Sequence, residues 1–322
     1  MAKLVGSIYK IEKIFLLAFI RNSLQNVSAY YTISGMNDLS RWRAYIVLLR
    51  LNQPTGLFLL LWPTLWALWI AGAGTVRFKM LSLFIIGAVL TRTLGCVIND
   101  IVDRNLDGFV TRTQHRPLVS GQVSLKKALF ILIILMLLAF FVVWQFNRLT
   151  LELAVIAVVM MSLYPFAKRY IQWPQLFLGL VFGAWSTLMA FAAETGKIPV
   201  IAGFLSLAAY IWCVAYDTIY AMVDREDDLR VGIKSSALAL GRYDVVFIGA
   251  IESVFVLILI VIGYYLRLNV AYYVMLACVV GLLTYQHYLI RDRKPEACFK
   301  AFLNNAWIGC LIFLGFFFGN PT

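Results

Sequence analysis

Apolar runs of roughly 17–25 residues recur along this chain from Gly56 to Gly319, each long enough to cross a bilayer as a helix. They lie near residues 55–73, 80–98, 125–146, 149–165, 174–193, 199–222, 244–264, 269–289 and 301–319. Stretches this long and this uniformly apolar predict helices, which satisfy their own backbone hydrogen bonds in lipid. The expected fold is all-α: a polytopic membrane protein of about nine transmembrane helices. Pro63 and Pro165 fall within or at the end of spans, which membrane helices tolerate, while Pro174 and Pro199 suit first helical turns. No long polar interval separates the runs, so residues 36–322 read as a single transmembrane domain.

Residues 1–35 stand apart as an N-terminal extension. Ile14 to Ile20 is an apolar run of only seven residues, with Arg21 behind it and no small-residue cleavage site, which makes a poor signal peptide. The segment is either an amphipathic surface helix or precedes a start at Met36. The second reading is preferred, because every later feature fits without these residues.

The polar intervals between the runs carry an uneven charge. Loops assigned to one side hold eighteen Lys and Arg, from Arg41 to Lys300, against Arg77, Lys79, Arg148, Lys197 and Arg267 on the other. That bias puts the rich side in the cytoplasm, and nine spans then leave the C-terminus outside. Composition agrees: 62% of residues are hydrophobic and 14% charged, where soluble domains carry about a quarter charged residues. A net charge of +12 would suggest nucleic acid in a soluble protein, but here it follows from the basic loops, so no nucleic-acid partner is expected. Cys96, Cys213, Cys278, Cys298 and Cys310 show no Cys-x-x-Cys spacing, which argues against a disulfide framework or a zinc site. Two histidines, His115 and His287, are too few for a haem or di-iron site. The tryptophans read as interfacial belts and packing, with no site role.

The loops after the second and sixth runs are the longest on the cytoplasmic side, and both open with carboxylates. The first reads Asn99-Asp-Ile-Val-Asp103-Arg-Asn-Leu-Asp107. Asn99, Asp103 and Asp107 are spaced i, i+4, i+8, so a continuous helix would stack their oxygens on one face. The second runs from Asp217 to Asp228; Asp224 and Asp228 are again i, i+4, and Asp217 lies two turns earlier on the same face. Two matching helices suggest an internal repeat of four helices each, with a ninth added. Stacked carboxylates repel one another unless a cation sits between them, and hard divalent ions prefer oxygen. Mg²⁺ typically takes one or two carboxylates plus substrate phosphates. Two facing clusters could therefore clamp a diphosphate through two ions. One acidic loop is ordinary helix-end chemistry; two at equivalent places are not. Asp217 lies within the last turns of its span, where an ionised group is costly and functional by default.

Basic groups complete this site. Tyr164 and Lys168 form an i, i+4 pair across Pro165, and Arg112 and Arg116 follow the first cluster; all can serve a polyanionic diphosphate. For Lys168 and Arg116, positive-inside anchoring is the competing reading. Arg92 lies about two turns inside the second run, seven residues before Asn99. An arginine at that depth needs a partner: a substrate carboxylate, or alternatively Asp217 or a backbone carbonyl.

The clusters Asn99–Asp107 and Asp217–Asp228 resemble the two signatures of the UbiA-type intramembrane aromatic prenyltransferases, and the resemblance covers residues 40–319. Arg50-Leu-Asn-Gln-Pro54, Leu60-Leu-Trp-Pro-Thr-Leu-Trp66, His115-Arg-Pro-Leu118, Asp217–Asp224, Gly232-Ile-Lys-Ser235 and Cys298–Leu303 are similar to the branch that prenylates 4-hydroxybenzoate. The resemblance implies nine helices around a central cavity open to lipid, with Mg²⁺ at its cytoplasmic end, in a bacterial inner membrane. By position it implies metal-side roles for Asn99, Asp103, Asp107, Asp224 and Asp228. It places Arg112, Arg116, Tyr164 and Lys168 on the diphosphate, and Arg92 and Asp217 beside the aromatic acceptor. Asp103, Asp224 and Lys168, acting at the leaving group, and Asp217, orienting the phenol, are the candidate catalytic residues. The implied substrates are polyprenyl diphosphate and 4-hydroxybenzoate, and the implied product feeds ubiquinone. Competing acceptors are a naphthoate, homogentisate, haem or a chlorophyll precursor. An ion-coupled transporter would also be polytopic, but should hold its ionisable groups near the midplane at broken helices; here they crowd one face.

Overall fold

The computed structural model describes residues 39–105, 107–109, 113–232 and 234–319, so the N-terminal segment 1–35 lies outside the described residues. Among the described residues the secondary structure is entirely helical. Twelve helices follow one another: α1 (Leu39–Leu48), α2 (Thr55–Ala71), α3 (Phe78–Val102), α4 (Leu125–Val143), α5 (Arg148–Tyr170) and α6 (Pro174–Thr195) come first. After them come α7 (Val200–Val223), the short α8 (Arg225–Val231) and α9 (Ser236–Leu240), then α10 (Asp244–Tyr265), α11 (Val270–Ile290) and α12 (Pro295–Gly319).

Among the described residues seven helical stretches are long and apolar enough to span a bilayer: α3, α4, α6, α7, α9 with α10, α11 and α12. The other two expected spans are helical as well. At 17 residues, α2 is about 25 Å long, shorter than a hydrocarbon core of about 30 Å. Helix α5 runs to Tyr170, five residues past Pro165, where a span end was expected. The apolar runs thus mark helices correctly but understate them at the ends carrying polar residues: α3 continues to Val102 and α12 begins at Pro295.

Burial inverts along the bundle, as lipid requires. In α4 only Ala128 is buried, and Phe130, Ile133, Leu137 and Phe141 face outward; with lipid as the solvent this exposes nothing unfavourable. Helix α7 is the opposite. Its residues Leu205, Ala208, Ala209, Trp212 and Ile219 are all but inaccessible, with α2, α6, α10 and α12 packed around it. The Trp212 ring lies 5.2 Å from Trp66, and its Nε1–H donates to Asn305 Oδ1 at 2.9 Å. Trp66 in turn donates to the carbonyl of Gly309 at 2.9 Å. These tryptophans therefore tie helices together in the core rather than forming a belt.

Close approach is bought by small residues, as is general for helix pairs in membranes. A Cβ at Gly183 would come 2.6 Å from the carbonyl oxygen of Ala209, so α6 and α7 touch backbone to backbone there. Gly183 belongs to a π-turn, Gly179–Ala184, within α6. Such one-turn bulges are rare and recur beside functional sites; this one lies against the helix that carries Asp217.

Candidate active site

The first acidic segment is not one continuous helix. Helix α3 stops at Val102, and Asp103 caps it with φ −91° and ψ 1°. Its N–H still donates to Asn99 O at 2.8 Å, and the N–H of Asp107 donates to Asp103 O at 2.9 Å, but Asp107 already opens a 3₁₀ turn, Asp107–Phe109. The expected stacking of Asn99, Asp103 and Asp107 on one helical face is therefore corrected. The capping peptide turns the chain, and the three residues follow one another around a bend.

That bend is held by a residue the spacing argument passed over. Asp100 is 1% exposed. Arg50 Nη2 donates to its Oδ1 at 2.8 Å, and Arg116 Nη1 lies 3.1 Å from the same oxygen. Arg116 Nη1 also donates to Asp107 Oδ2 at 2.6 Å. Arg116, expected on a diphosphate, thus bridges two carboxylates of the cluster, supplying a compensating charge that the local sequence did not show. Arg50 reaches its place through a left-handed backbone (φ 54°), which costs an L-residue about 1–2 kcal/mol. Asp107 is buried, which pushes its carboxyl above the usual carboxylate range; the neighbouring Arg116 opposes that shift without cancelling it. A signal for Arg50 did exist, in the Arg50–Pro54 stretch; none marked Asp100 beyond its place next to Asn99.

The second segment repeats the device. Helix α7 stops at Val223, Asp224 caps it with φ −91° and ψ 4°, and the N–H of Asp228 donates to Asp224 O at 2.8 Å. Asp224, Asp227 and Asp228 are half-buried, and α8 carries the last two. One turn deeper along α7 lies Tyr220, and two turns deeper Tyr216 and Asp217; Tyr220 packs at 4.7 Å against Phe302 of α12.

Arg92 is seated at the start of α2. Its Nη2 donates to the backbone carbonyl of Gln53 at 3.0 Å, the alternative partner that its depth allowed. Arg50, Cys96, Tyr216 and Tyr220 are near enough to act on the guanidinium electrostatically. It rests on Gly56, where any Cβ would overlap it. Arg112 lies outside the described residues, as do the side chains of Tyr164 and Lys168; the backbone of α5 runs through both positions.

Among the described residues no three His, Cys, Asp or Glu side chains converge to enclose a cation by themselves. The donor set still suits Mg²⁺. It is all oxygen, Asp100 Oδ2 is buried without a hydrogen-bond partner, and Mg²⁺ commonly completes its shell with substrate phosphates.

Comparison with known proteins decides the family. Residues 60–316 match the UbiA prenyltransferase family. The chain belongs to that family. A Coxiella burnetii protein named 4-hydroxybenzoate octaprenyltransferase is 51% identical over 271 residues, covering 84% of this chain and 94% of that one. One of the same name from Alkalilimnicola ehrlichii is 48% identical over 280 residues, covering 86% and 95%. Among solved structures, a UbiA homologue from Aeropyrum pernix shares the fold with a TM-score of 0.70 at 22% identity, over 80% of this chain and 95% of its own. One from Archaeoglobus fulgidus, bound to GPP and Mg²⁺, does so with a TM-score of 0.65 at 17% identity, over 85% and 98%.

Proposed function

We propose that this chain transfers a polyprenyl group from polyprenyl diphosphate to 4-hydroxybenzoate, at the ring carbon meta to the carboxylate, giving 3-polyprenyl-4-hydroxybenzoate for ubiquinone biosynthesis. The observation that carries this reading is the 51% identity, across 84% of the chain, to a protein named for that reaction. The Archaeoglobus homologue bound to GPP and Mg²⁺ supports a divalent cation and an allylic diphosphate.

In this reading Asn99, Asp103, Asp107, Asp224 and Asp228 hold Mg²⁺, which when bound supplies positive charge to the departing diphosphate. Arg112, Arg116, Tyr164 and Lys168 add hydrogen bonds and charge to the same oxygens. Arg116 would exchange part of its contact with Asp107 for the diphosphate. The bond from prenyl C1 to the diphosphate oxygen breaks with its electron pair leaving on the diphosphate. The ring carbon ortho to the phenol attacks C1, then loses its proton, and aromaticity returns. Arg92 holds the acceptor carboxylate, Asp217 orients the phenol, and the Tyr220–Phe302 wall keeps water from the cation. A long prenyl tail is insoluble in water, which accounts for a catalyst embedded in lipid.

Loop charge supports an inner-membrane orientation with the acidic segments cytoplasmic and the C-terminus outside. The acceptor is tested by offering purified membranes 4-hydroxybenzoate, a naphthoate and homogentisate in parallel with one labelled polyprenyl diphosphate. Labelled product from 4-hydroxybenzoate alone is expected; a preference for either other acid would reassign the enzyme within its family.

A further inference from the structure

Apart from the acidic segments, the structure buries one more carboxylate between two arginines. Asp244, the first residue of α10, is fully buried. Arg225 Nη1 donates to its Oδ2 at 2.8 Å; Arg293 Nη2 donates to its Oδ1 at 2.7 Å, and Arg293 Nε reaches both oxygens at 3.0 Å. The N–H of Val245 adds a fifth bond to Oδ1 at 2.7 Å. Arg225 spends its other amino group, Nη2, on the carbonyl of Gly241 at 2.9 Å. Arg293 adopts a left-handed backbone, φ 53°, to take part. Strain of that kind persists only where the surroundings over-determine it, and a buried ion cluster is a poor source of net stability. Its geometry suggests another use.

Arg225 directly follows Asp224 and stands three residues before Asp228, at the start of α8. An arginine at that place would ordinarily fold along its own helix onto the i+3 carboxylate. Arg230 does fold along that helix, back onto the carboxylates three and four residues earlier, 3.7 Å from Asp227 and 3.9 Å from Glu226. Arg225 does not: both of its amino groups turn to Asp244 and Gly241. We propose that Asp244 is a positioning residue that draws the Arg225 charge away from Asp224 and Asp228, so that this guanidinium does not compete with a divalent cation for that pair. This rests on the reading that Asp224 and Asp228 hold the cation.

The test is Mn²⁺ binding, followed by electron paramagnetic resonance, to purified full-length wild type, Asp244→Asn, Arg225→Gln and the double variant. Asp244→Asn should weaken Mn²⁺ binding at least about tenfold, because a unit charge brought within a few ångströms near a protein surface acts on a scale larger than that. Adding Arg225→Gln should restore affinity to within about threefold of wild type, because the released charge is then gone. Wild-type affinity in Asp244→Asn overturns the proposal, and so does a double variant as weak as Asp244→Asn, which would indicate mere structural damage. If Asp244→Asn does not fold, Arg225→Gln alone decides: affinity within about threefold of wild type supports a parked charge, and binding tenfold tighter overturns it. Wild type that binds no Mn²⁺ sinks the underlying cation reading instead, a separate and recognisable result.

Discussion

Asp103 and Asp224 end their helices with the same backbone, φ −91° and ψ 1° at one and φ −91° and ψ 4° at the other. Each passes the chain on with an N–H from four residues later, Asp107 or Asp228, donating to its carbonyl. Helices α3 and α7 thus present acidic caps in one conformation. On the proposed function the two caps contribute equally. Asp103→Ala and Asp224→Ala should each lower prenyl transfer on the order of 10³-fold, with insertion unchanged by membrane fractionation. Full activity in both variants would end the two-cluster account.

Arg92 is held by Gln53 O and by contact with Gly56. Gly56→Ala should displace the guanidinium without disturbing the fold. The KM for the aromatic acid should then rise roughly tenfold, the scale of one weakened charge-assisted hydrogen bond, while KM for the prenyl donor moves little. Arg92→Glu should do the same more strongly. Steady-state kinetics with each substrate varied in turn separates the two; an effect confined to the donor would reassign Arg92.

Asp100 neutralises Arg50 and Arg116 from a buried position. Asp100→Asn leaves Arg50 without a counter-charge and Arg116 with Asp107 alone, and breaking a buried pair in this way typically costs about 3–5 kcal/mol. Thermal unfolding in detergent should show a fall in Tm of several degrees or more. An unshifted Tm would mean that the pairing contributes nothing to the bend.

Asp107 carries a pH prediction. Burial raises its folded pKa above the unfolded value of about 3.9. The bare protein therefore gains stability from this group below that value and loses it as pH rises through the folded pKa. A divalent cation needs the carboxylate, so protons compete with it. Mn²⁺ affinity should weaken as pH falls, in a window above an ordinary carboxylate's. Affinity that stays flat over that window would remove Asp107 from the cation site.

Helix positions were legible because long apolar runs have no alternative structure in lipid. The ends of α3 and α7 were not. No Gly or Pro stands within five residues after Val102 or Val223, and the i, i+4 acidic spacing continues the helical period past the true cap. Asn99, Asp103, Asp107, Asp224 and Asp228 stand as candidates from that spacing. Asp100 and Asp244 were not, since their meaning lies in partners far along the chain: Arg50 is 50 residues from Asp100, and Arg293 is 49 from Asp244. The depth of Arg92 was readable, but its seat on Gly56 and Gln53 was not, because it depends on how α2 enters the bundle.

The central claim is cation-dependent prenylation of 4-hydroxybenzoate at the two caps. The most direct measurement incubates purified membranes with labelled 4-hydroxybenzoate, a polyprenyl diphosphate and Mg²⁺, with and without EDTA, for wild type and Asp224→Ala. Labelled lipid-soluble product should form only in wild type with Mg²⁺ present; product of equal yield in EDTA, or from Asp224→Ala, would contradict the account.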